Sequence, residues 1–471
     1  MIDLMVIVTY FSIMLLLGWK SRHQSAESYW VAGRRYSTGR ITMSLVATIF
    51  GASSTMGVIG LGYTRGLTGA WWSLTGGLAL IFFSLFLASR VRDLNVYTLP
   101  DILKNAYGER VAVPAGAMIG VAWCGVIAAQ LIAGGRLVAG LFAVDFQVAL
   151  LVVAIIFTVY TFWGGQLSVI RTDSWQLPLF VGGLIVSLAF LASSLCSSTL
   201  FPGNIPLGHW DFPISQSFGL YEALVFYPLI IGLPYLVGPD IYSRILCASD
   251  NRVARRSSLL AAVIVIPLSL LLAFLGLLAR AQFPEIPSET ALPAILESLI
   301  PTGLRGLIVA GFLGAIMSSA DTCLISASTI LSLNVIRPLA NSSPEHTLRI
   351  TRGMVLILGA TAWFIASRQQ GIISSLLLGY TLFVGGVVVP TLAALFRDRL
   401  RITPNAAMWA IIVGGGTAIL GKVQGGMLLK DILTGYVCLF LELALGKNYL
   451  GILPIILSTL VLFGVSRITR S

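Results

Sequence analysis

About thirteen stretches of mostly apolar residues follow one another along this chain, joined by short polar segments. They lie near 2–19, 38–62, 69–89, 111–142, 146–163, 173–197, 217–241, 258–280, 303–334, 350–366, 371–395, 405–421 and 450–467. An α-helix needs about 20 such residues to cross the hydrocarbon core of a bilayer. Backbone polar groups find no water there, so each stretch is predicted to be a helix that satisfies itself. The expected fold class is an all-α polytopic membrane protein, with one membrane domain over 1–471. The apolar stretch 432–446 is too short to cross and reads as an external re-entrant or interfacial piece. The first stretch follows Met1 without a basic lead and ends in Gly18, Trp19 and Lys20. No small-residue cleavage site follows it, so it is expected to be an anchor.

Composition agrees. Charged residues make up 10% of the chain and hydrophobic residues 57%, whereas an ordinary globular domain carries about 25% charged residues. Such a pool cannot coat a water-soluble surface, which excludes a cytoplasmic enzyme, a nucleic-acid binder and a disordered scaffold. The net charge of +11 is then a statement about topology. With the N-terminus outside, 22 of the 30 basic residues fall in cytoplasmic loops and seven fall outside, leaving Arg136 within the membrane. That bias places the C-terminus in the cytoplasm of a plasma-membrane protein. The five cysteines and three histidines are scattered without metal-ligand spacing. No nucleophile–base pair or phosphate loop appears, and Gly414-Gly415-Gly416 lies inside an apolar span, so an enzyme is not expected.

Two stretches break the apolar pattern. One is Phe50-Gly51-Ala52-Ser53-Ser54-Thr55-Met56-Gly57, midway along the second segment; the other is Gly311 to Thr322, midway along the ninth. Small and hydroxyl residues here have two readings. They permit close helix packing, or they mark an unwound helix whose freed carbonyls hold a cation. The second stretch carries Asp321, and a mid-membrane carboxylate faces a partner or a watery cavity. Asp173 begins the sixth segment, where an acid is equally explained as a helix-dipole partner. Oxygen-only ligands suit a hard alkali cation.

These stretches resemble the sodium:solute symporter family, which includes proline, pantothenate, galactose, sialic acid and choline carriers. The likeness continues through Ser28-Tyr29-Trp30-Val31-Ala32-Gly33-Arg34-Arg35, Trp163-Gly164-Gly165, Thr172-Asp173, Gly238-Pro239-Asp240-Ile241-Tyr242-Ser243-Arg244 and Ala315-Ile316-Met317-Ser318-Ser319. It implies a five-plus-five inverted-repeat core, with a leading helix and loop at 1–37, repeat one at 38–197, repeat two at 217–395 and C-terminal helices at 396–471. Gly232, Pro234, Gly238 and Pro239 in the first helix of repeat two match the broken stretch in repeat one, an arrangement that points to a midplane site.

The resemblance also implies a main sodium site made from the carbonyls of Ala52, Thr55 and Ala315 and the hydroxyls of Ser318 and Ser319. Ala315, Ser318 and Ser319 share one helical face. A second cation site would use Asp173, Asp321 and Thr322; here the first hydroxyl of that set is replaced by a carboxylate. Substrate-cavity candidates are Ser53, Ser54, Trp71, Trp72, Ser73, Gln130, Arg136, Tyr227, Tyr235, Tyr380, Thr381 and Phe383. Arg136 suits a substrate carboxylate, or else snorkels or pairs with an acid; the tryptophans suit an ammonium. The function implied is sodium-coupled symport of a small organic solute across the bilayer, an amino acid or organic acid first. A proton-coupled symporter and a quaternary-amine carrier such as one for choline are the alternatives.

Overall fold

The computed structural model describes residues 1–196, 205–340, 343–369, 371–422, 441–442 and 448–469. Among these the chain is helical, with only two isolated β-bridges. Helix α1 spans Ile2–Lys20 and α2 spans Thr38–Ile49. After a break the chain resumes as a wide turn at Ser53–Gly57 and continues as α3 (Val58–Arg65). Then come α4 (Trp71–Phe82), α5 (Glu109–Phe142) and α6 (Phe146–Cys196). Helix α6 is two helices joined at Gly165, whose φ of 57° and ψ of −171° no helix contains. The short pieces α7 (Leu233–Val237) and α8 (Pro239–Ile245) precede α9 (Asn251–Gln282) and α10 (Leu304–Ile330). Helices α11 (Pro344–Arg368), α12 (Ile372–Phe383), α13 (Pro404–Leu420) and α14 (Tyr449–Ile468) complete the bundle.

Helical structure occupies each of the thirteen apolar stretches, but ten helices among the described residues are long and apolar enough to cross a membrane. The difference has simple causes. Segments 53–93 and 146–196 each run on as one helical body, and α13 has 17 residues. Most of the stretch expected to be re-entrant, 432–446, lies outside the described residues.

Helix α10 is the axis of the bundle: its apolar window is 100% buried, against 28% for α1 at the periphery. Its neighbours are α1, α2, α5, α6, α8 and α11. Without a hydrophobic force between helices in lipid, small residues decide which backbones approach closely. The α3–α9 contact shows this. A Cβ on Gly62 would collide with the Ala273 carbonyl, and one on Gly276 with the Ile59 carbonyl, so only glycine fits at either position.

Both halves of the chain carry a break. In the first, Phe50 ends α2 with ψ 50°; in the second, Gly238 separates α7 from α8 with ψ 134°. Helix α8 packs against both α2 and α10, which brings the two breaks to one place. This is the five-plus-five transporter architecture, in which discontinuous helices meet near the midplane.

Candidate functional site

The break after Ile49 frees backbone groups that lipid would not tolerate, and side chains from two other helices take them up. The Ala52 N–H, which would have bonded to the Thr48 carbonyl in an intact helix, donates instead to Gln130 Oε1 of α5 at 2.7 Å. The Thr48 carbonyl accepts from the Ser319 hydroxyl of α10 at 2.5 Å, and the Ala47 carbonyl lies 3.3 Å from the same hydroxyl. The approach leaves no spare room. A Cβ on Gly51 would stand 2.5 Å from Ser319 Oγ and 2.6 Å from Gln130 Oε1. Downstream, the Gly57 N–H donates to the Ala52 carbonyl at 3.0 Å, and the Thr55 hydroxyl donates to the Gly51 carbonyl at 2.7 Å. The structure therefore brings the broken stretch and Ser319 of the Ala315–Ser319 face together.

Beside this junction lies a small cavity of about 20 Å³, lined by Thr48, Gly51, Ser53, Gln130, Ser319 and Cys323, with Tyr235, Asp240 and Tyr380 on its other walls. Such a void holds about one water molecule. The chain is thus closed around its centre, and a solute needs the walls to part. Ser54 also borders this region, 3.5 Å from the Tyr235 hydroxyl.

The other sequence-derived cavity candidates lie elsewhere. Arg136 does not line the central cavity. It forms an ion pair with Glu289, both about a quarter exposed, beside a separate opening of about 470 Å³. Trp71 is stacked on Phe212 and Phe218 and donates its indole N–H to the Pro213 carbonyl at 2.7 Å. Trp72 meets Tyr227 edge-on, and the Tyr227 hydroxyl accepts from Arg65 at 3.4 Å. Ser73 is buried, and its hydroxyl has no hydrogen-bond partner among the described residues. Thr381 donates to the Leu377 carbonyl and faces a different opening, while Phe383 packs edge-on against Trp123. Trp71, Trp72, Tyr227 and Phe383 each meet other aromatic rings.

Next to the junction is a fully buried polar cluster. Asp173 accepts from Ser318 at 2.6 Å and from Ser44 through its other oxygen. Arg244, 0% exposed, donates to the hydroxyls of Thr48 (3.2 Å) and Thr322, and its Nη2 lies 3.7 Å from the Asp173 carboxylate. Asp321 points another way. One of its oxygens accepts from Thr161 at 2.6 Å, and the other has no partner among the described residues. By sequence, Arg244 falls just past the apolar stretch 217–241 and counts among the 22 basic residues of the cytoplasmic loops, and Asp240 has no assigned role. Their shared signal was the Gly238-Pro239 break. A helix that restarts inside the membrane carries its next two turns, Arg244 included, into the protein interior.

A profile of the sodium:solute symporter family matches residues 29–414. The chain belongs to this family. It is 26% identical to human sodium/glucose cotransporter 4, over 89% of this symporter and 69% of that protein. Human sodium/myo-inositol cotransporter 2 is 25% identical over 90% of the symporter and 69% of its own length. Among solved structures, a sodium-coupled sialic acid symporter in a substrate-bound outward-open state shares the fold, with TM-score 0.79, 20% identity and coverage of 99% and 98%. A nucleobase-cation-symport-1 transporter, closed with bromovinylhydantoin bound, gives TM-score 0.60 at 10% identity, over 92% of the symporter and 94% of its own chain. The symporter is accordingly a sodium-coupled membrane carrier and not an enzyme.

Proposed function

We propose that the chain couples the inward movement of sodium to uptake of a small organic solute bearing an amino or ammonium group. The observation that carries this is the meeting of the Ser319 hydroxyl with the carbonyls freed at the break. Sodium would be held by the carbonyls of Ala52, Thr55 and Ala315 and the hydroxyls of Ser318 and Ser319. The donor chemistry fits. Ser318 donates to Asp173 and Ser319 to Thr48, so each hydroxyl keeps its lone pairs for a cation, and each carbonyl has a second lone pair. All are hard oxygens, as an alkali ion requires.

Sodium bound there would tie α2 to α10 and favour one side-open state. A solute that binds that state better is then concentrated by the same coupling free energy, which acts in both directions. A membrane potential adds about 2.3 kcal/mol per charge per 100 mV. Access would alternate by rocking one helix bundle, spanning parts of repeats 38–197 and 217–395, against the rest. The basic-residue bias supports a plasma membrane of bacterial inner-membrane type, with the N-terminus outside, and persists when Arg244 is removed from the loop count.

The cavity wall supports this choice of solute class. The preference for an organic acid rested on Arg136, which lies outside the cavity, whereas Asp240 and the rings of Tyr235 and Tyr380 line it. An acid beside aromatic faces suits an ammonium, whether in an amino acid or a quaternary amine. A polyhydroxylated solute is the second reading, favoured by relatives named for glucose and myo-inositol and by the Gln130, Ser53 and Ser319 polar groups. Competition uptake in proteoliposomes, with amines, amino acids, organic acids and sugars, separates these classes. Sodium dependence that is unchanged after Ser318→Ala plus Ser319→Ala sinks the sodium-site assignment, and sodium-free uptake driven by a pH gradient replaces it with proton coupling.

A further inference from the structure

The second cation site implied by the family resemblance calls for an acid at 173 and free oxygens at 321 and 322. The structure offers them only in part, since Asp321 Oδ2 has no partner among the described residues while the other oxygens are engaged. Both Asp173 oxygens already accept hydrogen bonds, from Ser318 and Ser44. The Thr322 hydroxyl accepts from Arg244 and donates to the Ser318 carbonyl at 2.7 Å. One Asp321 oxygen accepts from Thr161 on the first half of α6, and the other, Oδ2, has no partner among the described residues. Between Asp173 and Thr322 stands the Arg244 guanidinium, with 0% side-chain exposure at both ends of its pair with Asp173. A guanidinium stays protonated in any protein environment and cannot leave the site as an ion can. A sodium ion seated against Asp173 would face that fixed positive charge across a dry interior, where repulsion is weakly screened.

We propose that Arg244 is a tethered cation that fills the second site, so that the carrier binds a single sodium, at the broken helix. This rests on the sodium-symport reading above. It makes Arg244 a residue that sets ion stoichiometry, and it gives α8 a permanent tie to α2, α6 and α10 where a dissociable ion would give a transient one.

Equilibrium binding of radioactive sodium to the purified full-length protein, at ionic strength held constant with potassium chloride, tests it. The expected result is one sodium per chain, lost in Ser319→Ala. Arg244→Gln is expected to double the bound sodium, Arg244→Lys to leave it at one, and Arg244→Gln with Asp173→Asn to restore one. Two sodium ions on the unmodified protein, one of them lost in Asp173→Asn or Asp321→Asn, overturn the proposal. So does a folded Arg244→Gln protein that still binds one. Should Arg244→Gln not survive purification, the unmodified count decides together with Arg244→Lys. No bound sodium at all sinks the symport reading itself, a different failure from a count of two.

Discussion

Two arginine–carboxylate pairs hold this bundle together in opposite ways. Arg244 and Asp173 are wholly buried, and the hydroxyls around them take up further donors and acceptors. Arg136 and Glu289 are about a quarter exposed at a rim, where Glu289 also accepts from the Ile372 N–H at 3.3 Å. From the sequence the two looked reversed, with Arg136 within the membrane and Arg244 in a loop. The difference teaches that burial follows where a helix restarts, not how far a residue lies along an apolar run. It also fixes the energetics. A buried pair adds little beyond an apolar substitute, yet removing one partner strands a charge, whereas a rim pair is screened by water and salt.

The largest expected effect comes from stranding Arg244. Asp173→Asn should lower apparent stability by about 3–5 kcal/mol, read as a lower unfolding midpoint in detergent. A double-mutant cycle with Arg244→Met should recover part of that loss, and full additivity would show that the pair is not coupled. Next comes the junction between the two. Ser319→Ala leaves the Thr48 carbonyl without its 2.5 Å donor and should cost about 1–3 kcal/mol, together with weaker sodium protection against heat. The smallest effect belongs to the rim. Glu289→Gln should cost about 0–1 kcal/mol, shrinking further in high salt, and a loss as large as that of Asp173→Asn would erase the contrast.

Much of the architecture was legible in the chain because lipid leaves few options: apolar length predicts helix, and the glycine–hydroxyl run at 51–57 marks where the helix fails. The helix ends at Phe50, where the stretch Phe50 to Gly57 begins, but the break is set by the groups that take up the freed backbone. Those groups, Gln130 and Ser319, sit far away in sequence. The sequence names Gln130 as a cavity candidate, but its partner, the Ala52 N–H, cannot be read from a pattern. Trp71 and Trp72 show the converse. An aromatic pair at a segment start looks the same in sequence whichever rings it meets; here Trp71 stacks on Phe212 and Phe218 while Trp72 meets Tyr227 edge-on. Asp173 and Asp321 were both picked out by the cost of burying a carboxylate, and both are fully buried, but only the fold shows that one is saturated with partners and the other is not.

The paired glycines at 62 and 276 leave α3 and α9 touching backbone to backbone, with no side chain between them to slide or re-pack. That seam behaves as a weld. So close a contact leaves little room for water along it, and spectroscopic labels placed on either side of the seam should report an unchanging separation throughout the transport cycle.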